Sequence, residues 1–174
     1  MNSPRFYSSL GDVPHLRGAI SPNRSRRIYV ASSWRNANQP MIVETLRAYG
    51  HEVYDFKNPA PGQKGFGWRD CGGAAAEDGP GKGAMTIASY VEAIQSNRAK
   101  EGFAFDIDAL DWADTCVMVL PCGRSAHLEA GYACGQGKHV IWVLSDDRWE
   151  PELMYLMGHD FVVPSRPEVR HGTD

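Results

Sequence analysis

No apolar run in this 174-residue chain approaches the roughly 18 or more residues that a membrane-crossing helix needs. Met1 to Arg27 also lacks the apolar core of a signal peptide, so neither a membrane nor export is expected. The four cysteines, Cys71, Cys116, Cys122 and Cys134, show no CxxC spacing and do not resemble a secreted disulfide framework. They read as free thiols in a reducing cytoplasm, which is the predicted location. Positive charge is sparse: 18 Lys and Arg stand against 21 Asp and Glu, for a net −3, with no basic helix or stripe. That balance excludes a nucleic-acid polymer as the expected partner and favours a small molecule. The glycine-rich stretch from Gly72 to Gly83 lacks the GxxxxGK[ST] order and follows no strand, which excludes a triphosphate-binding loop.

What is present is organised around residues 117–144. Val117 to Leu120 is a continuous apolar run, suited to a strand buried on both faces, and Pro121-Cys-Gly ends it. Small and helix-tolerant residues fill 125–134, Gly135 and Gly137 close that segment, and His139 to Leu144 is a second apolar run. This is a strand-helix-strand crossover, and it implies a parallel sheet with a ligand crevice at the carboxyl ends of its strands. Further strands are predicted at 27–32, 51–56 and 160–163, and helices at 41–49, 85–100, about 105–113 and 151–157. The predicted fold is a single-domain, doubly wound α/β structure of the flavodoxin or Rossmann-like kind, with about five parallel strands flanked by helices. With 43% hydrophobic content the chain has enough material for one core. Residues 1–26, with five arginines against Asp12, are expected to form a flexible arm, though packing on a neighbouring subunit is the alternative. The domain is expected to span 27–165, with a Gly-rich lid or loop at 63–83 and a tail at 166–174.

Glu129 is the residue that departs from its surroundings. It is the only carboxylate of its helix, set among Ala126, Leu128, Ala130, Tyr132 and Ala133 and about one turn past a Gly-Arg-Ser turn that opens toward the crevice. A capping role fits poorly, because Ser125 as N-cap would put the reciprocal acid at Leu128. The alternative is a nucleophile or acid/base group facing the crevice. Asp106 reads either as an N-cap at a helix start or as the second carboxylate of a pair. The loop after the first strand brings Ser32, Ser33, Trp34 and Arg35 to the crevice edge: hydroxyls, an aromatic plane and a guanidinium. Asp55, near the end of the second strand, is a candidate substrate contact or a turn cap. Phe66 and Trp68 belong either to a closing lid or to a small hydrophobic cluster.

Three stretches together carry a family resemblance: Ile28-Tyr-Val-Ala-Ser-Ser-Trp-Arg35; the segment from Asp106 to Asp114 ending in Ala-Asp; and Ser125-Ala-His-Leu-Glu-Ala-Gly-Tyr-Ala133 followed by Gly137-Lys138. Over about residues 27 to 145 the chain resembles the nucleoside 2-deoxyribosyltransferase superfamily, which includes the 2'-deoxynucleoside 5'-phosphate N-hydrolases and is distantly similar to NAD-cleaving TIR domains. The resemblance implies Glu129 as nucleophile and Asp106 as partner acid near the base, with no metal and no cofactor. It also implies a nucleoside or nucleotide substrate and a homodimer or larger homo-oligomer. The transferases' acidic residue before the Glu motif is missing; Gly123, Arg124 and Ser125 stand there instead and suit a 5'-phosphate at a helix N-terminus. A non-catalytic nucleotide-sensing domain, a scaffold protein and a TIR-like NAD glycohydrolase are the competing readings.

Overall fold

The computed structural model describes residues 5–8, 24–71, 85–144 and 151–163. Its strands are β1 (Arg5–Ser8), β2 (Arg27–Ala31), β3 (Glu52–Asp55), β4 (Thr115–Val119), β5 (His139–Val143) and β6 (Asp160–Val163). Its helices are α1 (Gln39–Ala48), α2 (Ile87–Gln95), α3 (Asn97–Trp112) and α4 (Arg124–Gly135), with short 3₁₀ turns at Trp68–Cys71 and Leu153–Met157. All pairings are parallel, in the order β1-β6-β5-β4-β2-β3. The doubly wound α/β architecture is therefore present, with six strands among the described residues rather than about five. The additional strand lies inside the segment expected to be a flexible arm: Arg5–Ser8 pairs along β6. A four-residue strand with no apolar run of its own leaves no periodic signal, and only the open edge of β6 defines it. The tail at 166–174 and the loop from 72 to 83 lie outside the described residues.

The β4 segment is buried at every position, as a central strand covered on both faces must be. Ile28, Val30, Val117, Val119, Ile141 and Val143 face one side, where Ile42, Val43 and Leu46 of α1 cover them. Tyr29, Ala31, Cys116, Met118, Val140 and Trp142 face the other, under α3 and α4. Those two helices pack on it through small residues, Ala126, Ala130 and Ala133 on α4 and Ala109 on α3, while Ala99 and Gly102 of α3 are also buried. At Gly102 an added Cβ would come within 2.7 Å of the Phe66 Cβ, so glycine is required for that contact.

The expected helix at 85–100 is in fact two helices. Ser96 adopts an extended backbone and its hydroxyl accepts the Ala99 amide at 3.2 Å, so it ends α2 and caps α3. As a result α3 begins eight residues before the expected start near Phe105, and Asp106 is its tenth residue of 16. The N-cap reading of Asp106 is thereby corrected. Its spacing from Gly102, Ala109 and Leu110 puts it on the helix face that meets the sheet.

The carboxyl end of α3 is held by Lys138. Its ammonium donates to the carbonyls of Asp111 at 2.9 Å and Ala113 at 2.8 Å, and also to that of Leu110. A cation there satisfies otherwise unpaired carbonyls and opposes the negative end of the helix dipole. The Gly137-Lys138 pair thus has a structural role. Gly137, at φ +70°, turns the chain so that Lys138 reaches the helix carrying Asp106.

Candidate active site

The strand order reverses between β2 and β4, because the chain leaves β2 for β3 on one side and returns to β4 on the other. Loops diverge at such a point and leave a crevice beyond the carboxyl ends of the strands. A cleft of ≈ 400 Å³ lies there, lined by Ser32, Ser33, Trp34, Arg35, Phe56, Phe66, Gly67, Trp68, Asp106, Gly123, Arg124, Ser125, Ala126 and Glu129. Every residue singled out from the sequence for the site, Asp55 excepted, borders this one cavity.

Asp55 is buried and its carboxylate is fully engaged by its own chain. Oδ1 accepts Gln39 Nε2 at 2.7 Å and the Lys57 amide at 3.1 Å, and Oδ2 accepts Asn58 Nδ2 at 2.9 Å. It caps the turn after β3 and holds α1 against it, so of its two expected roles the turn cap is the one it fills.

The exits of β2 and β4 are stitched together. The Ser32 hydroxyl donates to the Val119 carbonyl at 2.8 Å, and Asn36 Nδ2 donates to the carbonyls of Val119 and Pro121, both at 3.1 Å. Asn36 is buried and was not anticipated from the sequence; a single polar residue in a loop carries no signal of a partner more than eighty residues away. Beyond it, Ser33 accepts the Arg35 amide at 3.3 Å. Trp34 meets Phe56 edge to face, with ring centroids 5.5 Å apart.

The cleft's aromatic wall continues through Phe66 and Trp68, 5.1 Å apart, and on to Tyr90 of α2, 5.5 Å from Trp68. Residues 65–70 are fastened to α3 rather than standing clear of it. The Arg98 guanidinium lies 5.6 Å from the Phe66 ring centre and donates to the Gly65 carbonyl at 3.2 Å and to Asp70 at 3.3 Å. An added Cβ at Gly65 would fall 1.8 Å from the Phe56 carbonyl oxygen, so the backbone itself forms the seam between wall and strand exit.

On the opposite side Gly123 is the N-cap of α4 and supplies no capping side chain, which leaves the first amides of the helix unclaimed at the cleft rim. Since the cap is Gly123 and not Ser125, Glu129 lies well past the first turn and has no capping role. Its spacing from Ala126 and Ala133 puts it on the helix face that packs on the sheet. His127 steadies this turn: Nδ1 meets the Gly123 carbonyl at 2.8 Å, Nε2 meets the Tyr155 hydroxyl at 2.7 Å, and Tyr155 stacks on Trp142 at 4.4 Å.

Glu129 and Asp106, both half-buried, come from α4 and α3 over the same patch of sheet. Burial, then the neighbouring Asp106 charge, pushes the Glu129 carboxyl up to about 7. Burial also raises Asp106, against the opposing effect of a hydrogen bond from the Tyr54 hydroxyl to its Oδ1 at 2.8 Å. Beneath the two acids lies a tyrosine pair that sequence reasoning missed. Tyr29 and Tyr54 sit side by side in the β2–β3 register, rings 5.2 Å apart and 19° from parallel. The Tyr29 hydroxyl is close enough to Glu129 to moderate its raised pKa, but outside good hydrogen-bond geometry, so it counts among the buried polar atoms lacking a partner. Burial and the two carboxylates raise both phenols, which therefore stay protonated as donors. Burial and then Glu129 likewise push the Cys122 thiol up to about 12, so it is neutral and not a nucleophile. Among the described residues no group of three or more His, Cys, Asp or Glu converges as a metal site, and no helix is long and apolar enough to cross a membrane.

Holding Glu129 at a raised pKa has a cost that can be measured. A carboxyl binding its proton more tightly in the folded chain than in the unfolded one loses stability as pH rises from 4.5 to about 7. Glu129→Gln is therefore expected to be more stable than the wild type at pH 8 by about 1–2 kcal/mol, a figure reduced for partial solvent screening. At pH 4 the two should be equal. Paired urea titrations at the two pH values measure the difference; no gain at pH 8 would mean that Glu129 is well solvated.

No family model and no curated protein sequence matches the chain. Among solved structures it is similar to a Clostridium botulinum CMP N-glycosidase, BcmB, at 15% identity and a TM-score of 0.46, covering 81% of this chain and 91% of that one. A likeness that distant carries no functional weight, and the site rests on its own geometry.

Proposed function

We propose that this chain is an enzyme that cleaves the N-glycosidic bond of a (deoxy)nucleoside or nucleotide, or transfers the sugar to another base, with Glu129 as nucleophile and Asp106 as acid toward the base. The observation that carries this reading is the pairing of two half-buried carboxyls on one cleft, with Glu129 raised to about 7 by burial and by Asp106. Such a pair shares one proton in the neutral range, held on Glu129 in the empty cleft, and the titration belongs to the pair; the reaction starts from the form with that proton on Asp106 and Glu129 ionised.

One proton and one negative charge are what the reaction requires. As the bond from the anomeric carbon to the base nitrogen breaks, its electron pair moves onto the base, which takes the proton from Asp106. The anomeric carbon becomes cationic and the Glu129 carboxylate bonds to it. Water then attacks that carbon, the Glu129 carboxylate leaves, and the water proton returns to Asp106. An incoming base in place of water gives transfer. The aromatic wall of Trp34, Phe56, Phe66 and Trp68 suits a stacked heterocycle. Ser32, Ser33 and Arg35 are assigned to sugar hydroxyls. The open amides at Gly123, with Arg124 and Ser125, are assigned to a 5' substituent, a phosphate above all.

The expected assembly is a homodimer or larger homo-oligomer. Ile87, Tyr90, Val91 and Ile94 recur at helical spacing on α2 and are 85%, 43%, 47% and 45% exposed, an apolar stripe left largely uncovered by the described residues. Tyr90 also packs on Trp68, which ties this stripe to the cleft wall.

The direct test is incubation with deoxynucleosides, deoxynucleoside and ribonucleoside monophosphates, and NAD, with and without a free acceptor base, followed by chromatography. Base release or exchange is expected, falling on both the acid and alkaline sides of neutrality. Exchange only with added base would identify a transferase, and release from NAD alone a TIR-like glycohydrolase. Calorimetric binding without turnover would overturn the reading in favour of a sensor. For the assembly, sedimentation is expected to show a dimer or larger species that Ile87→Glu with Ile94→Glu converts to monomer; a monomeric wild type at working concentration would contradict it.

A further inference from the structure

We propose that Tyr54 is a positioning residue for the reaction, a donor set behind Asp106 that receives the carboxylate left when Asp106 protonates the departing base. This rests on the N-glycosidic reading of the Glu129 cleft and assigns a role to a side chain that does not border it.

Three observations lead there. First, the Tyr54 hydroxyl donates to Asp106 Oδ1 at 2.8 Å, and its ring is held in place by the stack on Tyr29, its neighbour in register. The other carboxyl oxygen is thereby left for the base, since a carboxyl with one oxygen fixed from behind presents the second forward. Secondly, Tyr54 is absent from the lining of the Glu129 cleft and present in that of a second cavity of ≈ 440 Å³. Asp106, Phe56 and Phe66 border both, so the carboxyl forms part of the partition between them. Thirdly, that second cavity gives solvent a way to the Tyr54–Asp106 pair while substrate fills the front.

The groups facing Asp106 are Tyr54 from β3, Tyr29 from β2 and Glu129 from α4, with Arg35 and Arg124 across the front cleft and Lys64, Arg98 and Glu101 across the rear cavity. Of these, Tyr54 alone has a hydrogen bond to the Asp106 carboxyl among the described residues. Its bond favours the ionised form, so it makes Asp106 a stronger acid than its buried position otherwise allows.

The test compares wild type with Tyr54→Phe, which keeps the ring and its stack and removes one oxygen. With a natural nucleoside or nucleotide, kcat is expected to fall about tenfold and the alkaline limb of the pH profile to move up by about one unit. With a nitrophenyl deoxyriboside, whose leaving group needs no proton, the two proteins should react alike. Thermal unfolding establishes that the variant is folded. Superimposable pH profiles, or an equal loss on both leaving groups, would overturn the role of Tyr54 while leaving the glycosidic reading intact. A wild type that turns over none of the panel would overturn both.

Discussion

Two carboxyl groups sit close together over the carboxyl edge of a parallel sheet, half withdrawn from water, and much of the local architecture answers to that constraint. Water would solvate each charge separately. Here burial and mutual repulsion make simultaneous ionisation costly, and the pair retains a proton where isolated carboxylates would have lost theirs. A fold optimised for stability alone would fill both positions with apolar residues. The alanines of α4 and Ala109 of α3 pack in one core against the same face of the sheet, and the paired tyrosines of β2 and β3 supply the polar floor beneath the acids.

The helices that carry the acids are secured at different places. Lys138 ties the end of α3 to the start of β5, and the Tyr132 hydroxyl and Gln136 amide of α4 both donate to Asp111 of α3, at 2.8 Å and 3.0 Å. The distance between Glu129 and Asp106 is therefore governed by contacts remote from the cleft as well as by packing on the sheet. Around the rim, Asn36 fastens the β2 exit to the β4 exit, and Arg98 fastens the Phe66–Trp68 wall to α3. A site supported in this way can receive a ligand without first ordering its own walls.

Much of this arrangement could be read from the sequence, for identifiable reasons. Continuous apolar runs marked β4 and β5, and Glu129 stood out as the lone acid of the helix between them. The site loops after β2 and β4 followed from the rule that places ligands at strand ends. What escaped were features decided by long-range partners. Ser96 lies in a run that is helix-compatible throughout, and only its own cap bond reveals the break that moves Asp106 from a helix start to a helix interior. Tyr29 and Tyr54 each looked like ordinary strand residues, and their stacking depends on the β2–β3 register. Asp55 was one of two possibilities until Gln39, Lys57 and Asn58 were seen to occupy it. The β1 strand had no periodicity to read at all.

The central claim is that the Glu129 carboxylate meets the positive charge forming at the anomeric carbon. It is tested most directly by the single-turnover rate of base release from the preferred substrate, measured for wild type and for a folded Glu129→Ala protein at neutral pH. The account predicts a loss of at least about 10³-fold in the variant. Release at an undiminished rate would show that the sugar is not attacked or stabilised from this side chain, and the account would fail.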